Sequence, residues 1–351
     1  MKKNRLAVIF GGNSTEYEVS LQSASAVLEA IDRDKYDLIP IGITREGEWY
    51  HYTGNNIEKL MDNTWFQDYD NLYPVVVSQS PSTKGFLERI SNTWQVITVD
   101  LVFPVLHGKN GEDGTLQGLF ELAGIPVVGC GTLSSALCMD KDRAHKLVSL
   151  AGISVPKSVT FRKFRREEAI KEIEETLKYP FFVKPVRAGS SFGITKVTEE
   201  GQLDAAIKLA FAHDTEVIAE EAVEGFEVGC AVLGIDELTV GRVDEIELSN
   251  GFFDYTEKYT LKTSKIYMPA RIPAEEEKRI QRAARIIYRA LDCQGFARVD
   301  MFYTPTGEIV FNEVNTIPGC TSHSRYPNMM KGIGLSFAEM LDKLIGLYAE
   351  Q

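Results

Sequence analysis

Residues 298–302 read Arg-Val-Asp-Met-Phe, and residues 308–315 read Glu-Ile-Val-Phe-Asn-Glu-Val-Asn. Both stretches are rich in apolar and β-branched residues, which suit a pleated, half-buried surface. Thr304 to Gly307 between them is turn chemistry, so the two are expected as neighbouring antiparallel strands. Side chains alternate faces with period two. Arg298 and Asp300 therefore share a face, and so do Glu313 and Asn315. Two carboxylates and an amide oxygen converging in an apolar sheet need a compensating partner. A hard cation supplies one, and Mg²⁺ takes few protein ligands, leaving the rest to phosphates and water. The competing reading is a buried salt bridge of Arg298 with Asp300 and Glu313. The two strands alone leave both readings open. Thr316-Ile317-Pro318-Gly319 follows as a turn whose exposed amides suit an oxyanion.

Upstream, Lys184-Pro185-Val186-Arg187-Ala188-Gly189-Ser190-Ser191-Phe192-Gly193 places a lysine at a strand end before a loop of small residues. Such a loop can fold its N–H groups over triphosphate oxygens. It lacks the G-x-x-x-x-G-K-[ST] pattern of a P-loop, and a plain hairpin is the alternative. Glu220-Glu221-Ala222-Val223 and then Glu227 follow a strand. Backbone there can pair with an adenine edge and an acid with ribose hydroxyls, although exposed glutamates are the plainer reading. Residues 11–20, Gly-Gly-Asn-Ser-Thr-Glu-Tyr-Glu-Val-Ser, form a glycine turn entering a helix N-terminus. Glu16 in it either holds an ammonium group or merely favours the helix start. The G-x-G-x-x-G of a dinucleotide fold is absent. Residues 106–114 carry three glycines in a polar loop before a helix, with His107 as a substrate or a structural histidine.

Around these segments, short strands at 6–10, 37–43, 99–104 and 125–128 alternate with helical patterns. They predict a parallel, doubly wound N-terminal unit. Residues 50–98 read as an irregular helical or hairpin insertion. A helix is expected over 140–152 and a strand over 154–160. An amphipathic helix with a solvated charged face follows at 163–177. Strands at 181–185, 194–197, 216–222 and 227–233 and a helix at 203–212 imply an α+β lobe. Strands near 237–248, 295–303 and 308–314 and a charged surface helix at 274–291 complete the chain. The fold class is thus mixed α/β and α+β.

The 351 residues are 44% hydrophobic and 25% charged, with a net charge of −12. That balance argues against nucleic-acid or membrane-surface partners. Five scattered cysteines, an odd number without ligand or redox spacing, read as reduced core thiols. The opening MKKNRLAVIFGG has too short an apolar run for a signal peptide, and no later stretch reaches the length of a membrane span. A cytoplasmic location is expected.

Together, GGNSTEYEVS, VLHGKNGEDGTLQG, CMDKDRAHK, KPVRAGSSFGITKV, DYTEKY, ARVDMF and NEVNTIPGCTSHSRYP resemble the D-alanine–D-alanine ligase family of the ATP-grasp superfamily. The likeness runs in order over nearly the whole chain. It implies a substrate domain of the preATP-grasp type at 1–137, a central lobe at 138–225 and a metal-bearing C-terminal lobe at 226–351. It implies ATP and two Mg²⁺ ions, with Mn²⁺ able to substitute, small D-amino acids as substrates, and a homodimer. Lys141 and Lys184 match phosphate-binding lysines, and Lys258 matches a phosphate contact from the mobile loop. Glu220, Val223 and Glu227 match the adenosine site. Asp300, Glu313 and Asn315 match the metal site. Glu16, helped by His107, matches the anchor for the first D-alanine ammonium. Glu16, Ser190 and Tyr259 match a hydrogen-bonded triad. Arg298 and the Gly319 amide match the stabilisers of a tetrahedral intermediate. The implied chemistry forms an acyl phosphate, which a second amino acid then attacks. A catalytically silent relative would have lost a metal ligand or Lys184, and both are kept.

For the second amino acid, Arg325-Tyr326-Pro327 after Ser324 resembles the vancomycin-resistance branch, which makes D-alanine–D-lactate or D-alanine–D-serine. Tyr259, lost in D-lactate makers, is retained, so an amine nucleophile is implied. The wording FFDYTEKYTLKTSKIYMPAR is similar to D-serine ligases of the G type, with Phe252, Ser324 and Arg325 in the substrate pocket. Arg325 as a donor would reward the serine hydroxyl, since an unpaired buried group costs roughly 1–3 kcal/mol. Pairing of Arg325 with a surface acid or with the substrate carboxylate is the other reading, and a D-alanine–D-alanine ligase the other function.

Overall fold

The computed structural model describes residues 3–189, 192–248 and 264–349. Its first sheet holds β1 (Asn4–Gly11), β2 (Tyr36–Ile43), β3 (Trp49–Tyr52), β4 (Leu72–Val77), β5 (Gly85–Ile90), β6 (Thr93–Thr98) and β7 (Leu101–Pro104). Their spatial order is β6-β5-β4-β3-β2-β1-β7. β1 runs parallel to both β2 and β7, and its last six residues are buried. A central parallel strand covered on both faces reads as such a continuous apolar run. Helix α1 (Tyr17–Ala30) makes the crossover to β2.

The expected parallel, doubly wound unit is present as β2-β1-β7, and an antiparallel set extends it at one edge. β2 to β6 are antiparallel to one another in sequence, so the sheet is mixed. Residues 50–98 hold a short helix at Glu58–Met61 and the antiparallel hairpins of β4, β5 and β6, so the hairpin reading of this segment stands and only its irregularity is corrected. β6 exposes five of its six residues, so the apolar alternation that announces a strand is missing from it.

The second sheet holds β8 (Ser158–Arg162), β9 (Phe181–Pro185), β10 (Thr195–Val197) and β11 (Glu216–Glu221) in the order β10-β9-β11-β8. Helices Arg166–Thr176 and Leu203–Phe211 cover it through Ile173, Leu203 and Ile207, packed on Phe161, Phe181 and Val183. The third sheet holds β12 (Phe226–Leu233), β13 (Thr239–Leu248), β14 (Ser264–Tyr267), β15 (Phe296–Tyr303) and β16 (Ile309–Asn315), ordered β14-β13-β12-β15-β16. Residues 154–157 do not extend β8. Ser154 bridges to Val310 beside β16 instead.

The helix expected over 140–152 is Lys141–Leu150, and a separate helix, Thr132–Met139, precedes it. Asp140 stands between them with extended backbone, and its Oδ1 accepts the Arg143 N–H at 3.0 Å. An aspartate there caps a new helix rather than continuing the old one. Helix Ala274–Ala290 buries Ile280, Ala283, Ala284, Ile287 and Tyr288. That stripe lies on the third sheet, while the charges point outward.

One core joins the first sheet to the C-terminal helices Arg325–Lys331 and Phe337–Ala349 through Phe103, Phe296, Tyr326, Met329 and Leu341. This shared core sets the loop after β16 against the N-terminal unit. All five cysteines are buried and free. Among the described residues no helix is long and apolar enough to cross a membrane.

Candidate active site

β1 ends at Gly11, and the chain turns into α1 with Glu16 at its start, 7% exposed. The Ser14 hydroxyl donates to the His107 carbonyl at 2.8 Å and accepts from the Glu16 N–H at 3.1 Å. Two loops close on the Glu16 carboxylate. A Cβ on Gly108 would fall on its Oε2, and a Cβ on Gly189 would approach it to 2.9 Å. Position 108, also at φ +74°, needs a bare backbone, and at 189 a side chain would displace the Glu16 carboxylate. The N-terminal loop, the His107 loop and the loop after Lys184 thus meet at one carboxylate.

His107 is buried and wired at both ring nitrogens. Its Nδ1 lies 2.9 Å from the Ile317 carbonyl, so Nδ1–H donates. Nε2 then accepts from the Ser23 hydroxyl at 3.1 Å, and Ser23 Oγ accepts from the Cys320 N–H. Burial lowers the His107 pKa, which keeps the ring neutral. Glu112 makes a second strut: Oε2 accepts the Gly108 N–H at 2.7 Å and Oε1 the Ile317 N–H at 3.1 Å. Burial first, then the nearby Glu16 charge, push its pKa up to about 8.

Lys141 opens its helix, and its Nζ donates to the Ala188 carbonyl at 3.0 Å and lies 3.9 Å from Glu313 Oε2. Lys184, on β9, forms a buried ion pair with Glu220 of β11. Burial works to raise the Glu220 pKa, but the paired Lys184 ammonium outweighs it, so the pKa is lowered and the carboxylate stays charged. The reading of Glu220 as an exposed surface acid is thereby corrected, because its sheet face turns inward: it is 3% exposed. Val223 lies in the half-buried turn between β11 and β12.

In the third sheet Asp300 stands directly opposite Glu313, and Arg298 opposite Asn315. The ladder then slips at Met301, which faces Phe311, so Asn312 is an inserted bulge residue. Such an insertion re-aims the flanking side chains. Phe311 and Val314 both enter the core, while Glu313 stays on the site face. Arg298 grips Asp300 with Nε at 2.8 Å and Nη2 at 2.7 Å, and Asn315 Nδ2 donates to Asp300 Oδ2 at 2.9 Å. The salt bridge is therefore present between Arg298 and Asp300.

No group of three acids, histidines or cysteines suited to a metal occurs among the described residues. The two carboxylates and the Asn315 amide still match the hard-oxygen donors of Mg²⁺, which completes its shell with phosphate and water.

Arg325, at the start of its helix, corrects the expectation of a donor waiting for a substrate hydroxyl. Its Nε and Nη2 bind Asp244 at 2.7 and 2.8 Å, Nη1 binds Glu227 at 2.9 Å, and Asp300 Oδ1 lies 3.4 Å away. Its side chain is 8% exposed, and it reaches back to the third sheet because Gly229 there leaves room: a Cβ at 229 would strike its Nη2. Glu227, expected at the ribose, is likewise engaged by Arg325. Ser324 Oγ folds back to the Thr321 N–H at 3.0 Å and lies close under Gly319. Ser190, Phe252, Lys258 and Tyr259 lie outside the described residues.

Sequence reasoning missed Asp244, Glu112 and His145. Asp244 is fully buried. It sits in β13 beside Glu245 and Glu247, so nothing local singles it out, and its partner lies 81 residues away. Glu112 was hidden among loop polars.

Residues 5–130 match the family described as D-ala D-ala ligase N-terminus, and residues 147–346 the one described as D-ala D-ala ligase C-terminus. The chain belongs to the D-alanine–D-alanine ligase family, has its ATP-grasp fold, and is an ATP-dependent ligase. A solved structure described as VanG D-Ala:D-Ser ligase from Enterococcus faecalis shares 79% identity. It covers 99% of this chain and 100% of that one with a TM-score of 0.93. A D-alanine–D-alanine ligase of Caldicellulosiruptor bescii is 45% identical over 100% of this chain and 96% of its own length. The vancomycin C-type resistance protein VanC1 of Enterococcus gallinarum is 43% identical over 100% and 99%.

Proposed function

We propose that the chain couples ATP cleavage to joining D-alanine with a second D-amino acid, D-serine in preference to D-alanine. The observation that carries the ligase chemistry is the meeting at Glu16 of the His107 loop and the loop that follows Lys184. An ammonium anchor and a phosphate-binding loop are thereby neighbours, as acyl-phosphate formation on an amino acid requires. Preference for D-serine is supported by the 79% identity to a D-Ala:D-Ser ligase.

In this reading Glu16 and His107 hold the first D-alanine with its carboxylate toward the γ-phosphate. Lys141 and Lys184 neutralise phosphate oxygens as that carboxylate attacks, giving D-alanyl phosphate and ADP. Glu220, Val223 and Glu227 line the nucleoside end. Asp300, Glu313 and Asn315 would hold two Mg²⁺ ions, or Mn²⁺ in their place. Bound there, the metal spreads the charge of the transferring phosphoryl group. The amine of the second amino acid then attacks the acyl carbon and expels phosphate. Arg298 and the Gly319 amide take the oxyanion that forms. Arg325 shapes the second pocket with Ser324 and Phe252, holding Asp244 and Glu227 in place. By the family resemblance, Glu16, Ser190 and Tyr259 would form a hydrogen-bonded triad and Lys258 a phosphate contact, shielding the acyl phosphate from water. The division at 1–137, 138–225 and 226–351 then separates substrate, phosphate and metal functions. The setting is a cytoplasmic homodimer supplying D-amino acid dipeptides for peptidoglycan precursors and glycopeptide resistance.

The test is ATP-dependent phosphate release with D-alanine alone and with D-serine added, with dipeptides identified by mass. The mixed dipeptide should dominate at neutral pH. A D-alanine dimer formed as efficiently would sink the D-serine preference, and no D-alanine-dependent release would sink the ligase.

A further inference from the structure

The bulge in β16 leaves Asn312 without a partner across the ladder, and its carbonyl still needs a donor. His145 supplies it: Nε2–H donates to the Asn312 oxygen at 3.0 Å. His145 lies one turn beyond Lys141, is 3% exposed, and stands edge-on to Phe311 at 5.5 Å and 77°. With the proton on Nε2, Nδ1 and Glu220 Oε1 are both acceptors, 3.8 Å apart with no hydrogen bond between them. Neither of those two atoms has a hydrogen-bond partner among the described residues. The other Glu220 oxygen holds Lys184. One imidazole therefore touches the strand of Glu313, shares a helix with Lys141, and faces the acid that holds Lys184.

We propose that His145 is a positioning residue: its bond to the bulge carbonyl sets the direction of Glu313 and ties the strand of the metal carboxylates to the helix that opens with Lys141. The assignment rests on the ligase reading above. It requires no access to solvent and no proton transfer, in keeping with burial. Losing an outer-shell partner of a metal ligand typically lowers metal affinity by about 10–100-fold, and a bond to the residue preceding the ligand is expected at the low end of that range.

The experiment is calorimetric binding of a non-hydrolysable ATP analogue, with and without Mg²⁺, to wild type, His145→Gln, His145→Asn and His145→Leu, beside thermal melts. The Gln amide nitrogen sits where Nε2 does, whereas Asn reaches only the Glu220 side. His145→Leu and His145→Asn should lose about tenfold of the Mg²⁺-dependent gain in affinity. Metal-free binding should change little, and His145→Gln should recover the gain. If Leu fails to fold, the Asn–Gln comparison decides alone. Equal Mg²⁺ dependence in Gln and Asn, or a Leu variant that melts normally with wild-type Mg²⁺ dependence, overturns the proposal. Wild-type protein that binds no nucleotide overturns the ligase reading itself, a distinct result.

Discussion

Arg325 shows what a single side chain does when taken out of water. Its guanidinium spans Asp244, Glu227 and Asp300, and Asp244 is fully buried. Removing one partner of such a pair leaves a charge stranded and costs roughly 3–5 kcal/mol. Arg325→Leu should therefore lower the stability read by urea denaturation by about that amount. Combining it with Asp244→Asn should recover part of the loss. An Arg325→Leu protein as stable as wild type would remove the arginine from this network. The arginine was legible in the sequence as an unusual residue beside the substrate turn. Its partners were not, because ion pairs between distant strands leave no local pattern.

At the scale of elements, the site is made by loops that crowd one carboxylate. Gly189→Ala introduces a Cβ 2.9 Å from Glu16 Oε2, the tip of a flexible side chain, so the fold should survive while Glu16 shifts. The KM for the first D-alanine should rise severalfold with the KM for ATP nearly unchanged. Steady-state kinetics with each substrate varied would show it. Gly108→Ala should cost more, because position 108 has φ +74° as well as the close contact, and a left-handed residue with a Cβ is strained by about 1 kcal/mol or more. β15 and β16 were readable from composition and period. The bulge between them was not, since one inserted residue leaves the apolar pattern nearly intact while redirecting Glu313. The antiparallel strands of residues 50–98 escaped for the opposite reason: their exposed faces carry Trp94, Val96 and polar residues in no clean alternation.

Across the whole molecule, the shared core and the His107 relay bind the N-terminal unit to the turn after β16. His107 is held neutral by burial. Below its unfolded pKa of about 6.5 the unfolded chain takes up a proton that the folded chain resists. Its contribution is full above that pH and is lost as pH falls toward the lower folded value. Melting temperatures over this window should drop with acidification in wild type, and less steeply in His107→Gln. Glu112 acts in the other direction. Its raised pKa favours the neutral acid in the folded chain, so its contribution falls as pH rises from about 4.5 to about 8. The difference between wild type and His107→Gln isolates the histidine, and equal slopes would contradict the relay. By itself, the sequence determined the family, the three kinds of functional loop and the residues that bear charge, because glycine turns, strand periods and motif order are local properties of the chain. Only the tertiary structure decided that Arg298 and Arg325 both close on Asp300, that Glu220 is buried under Lys184, and that the N-terminal sheet is mixed. Those outcomes depend on which distant segments share a low-dielectric interior, where every charge must find a partner from elsewhere in the chain.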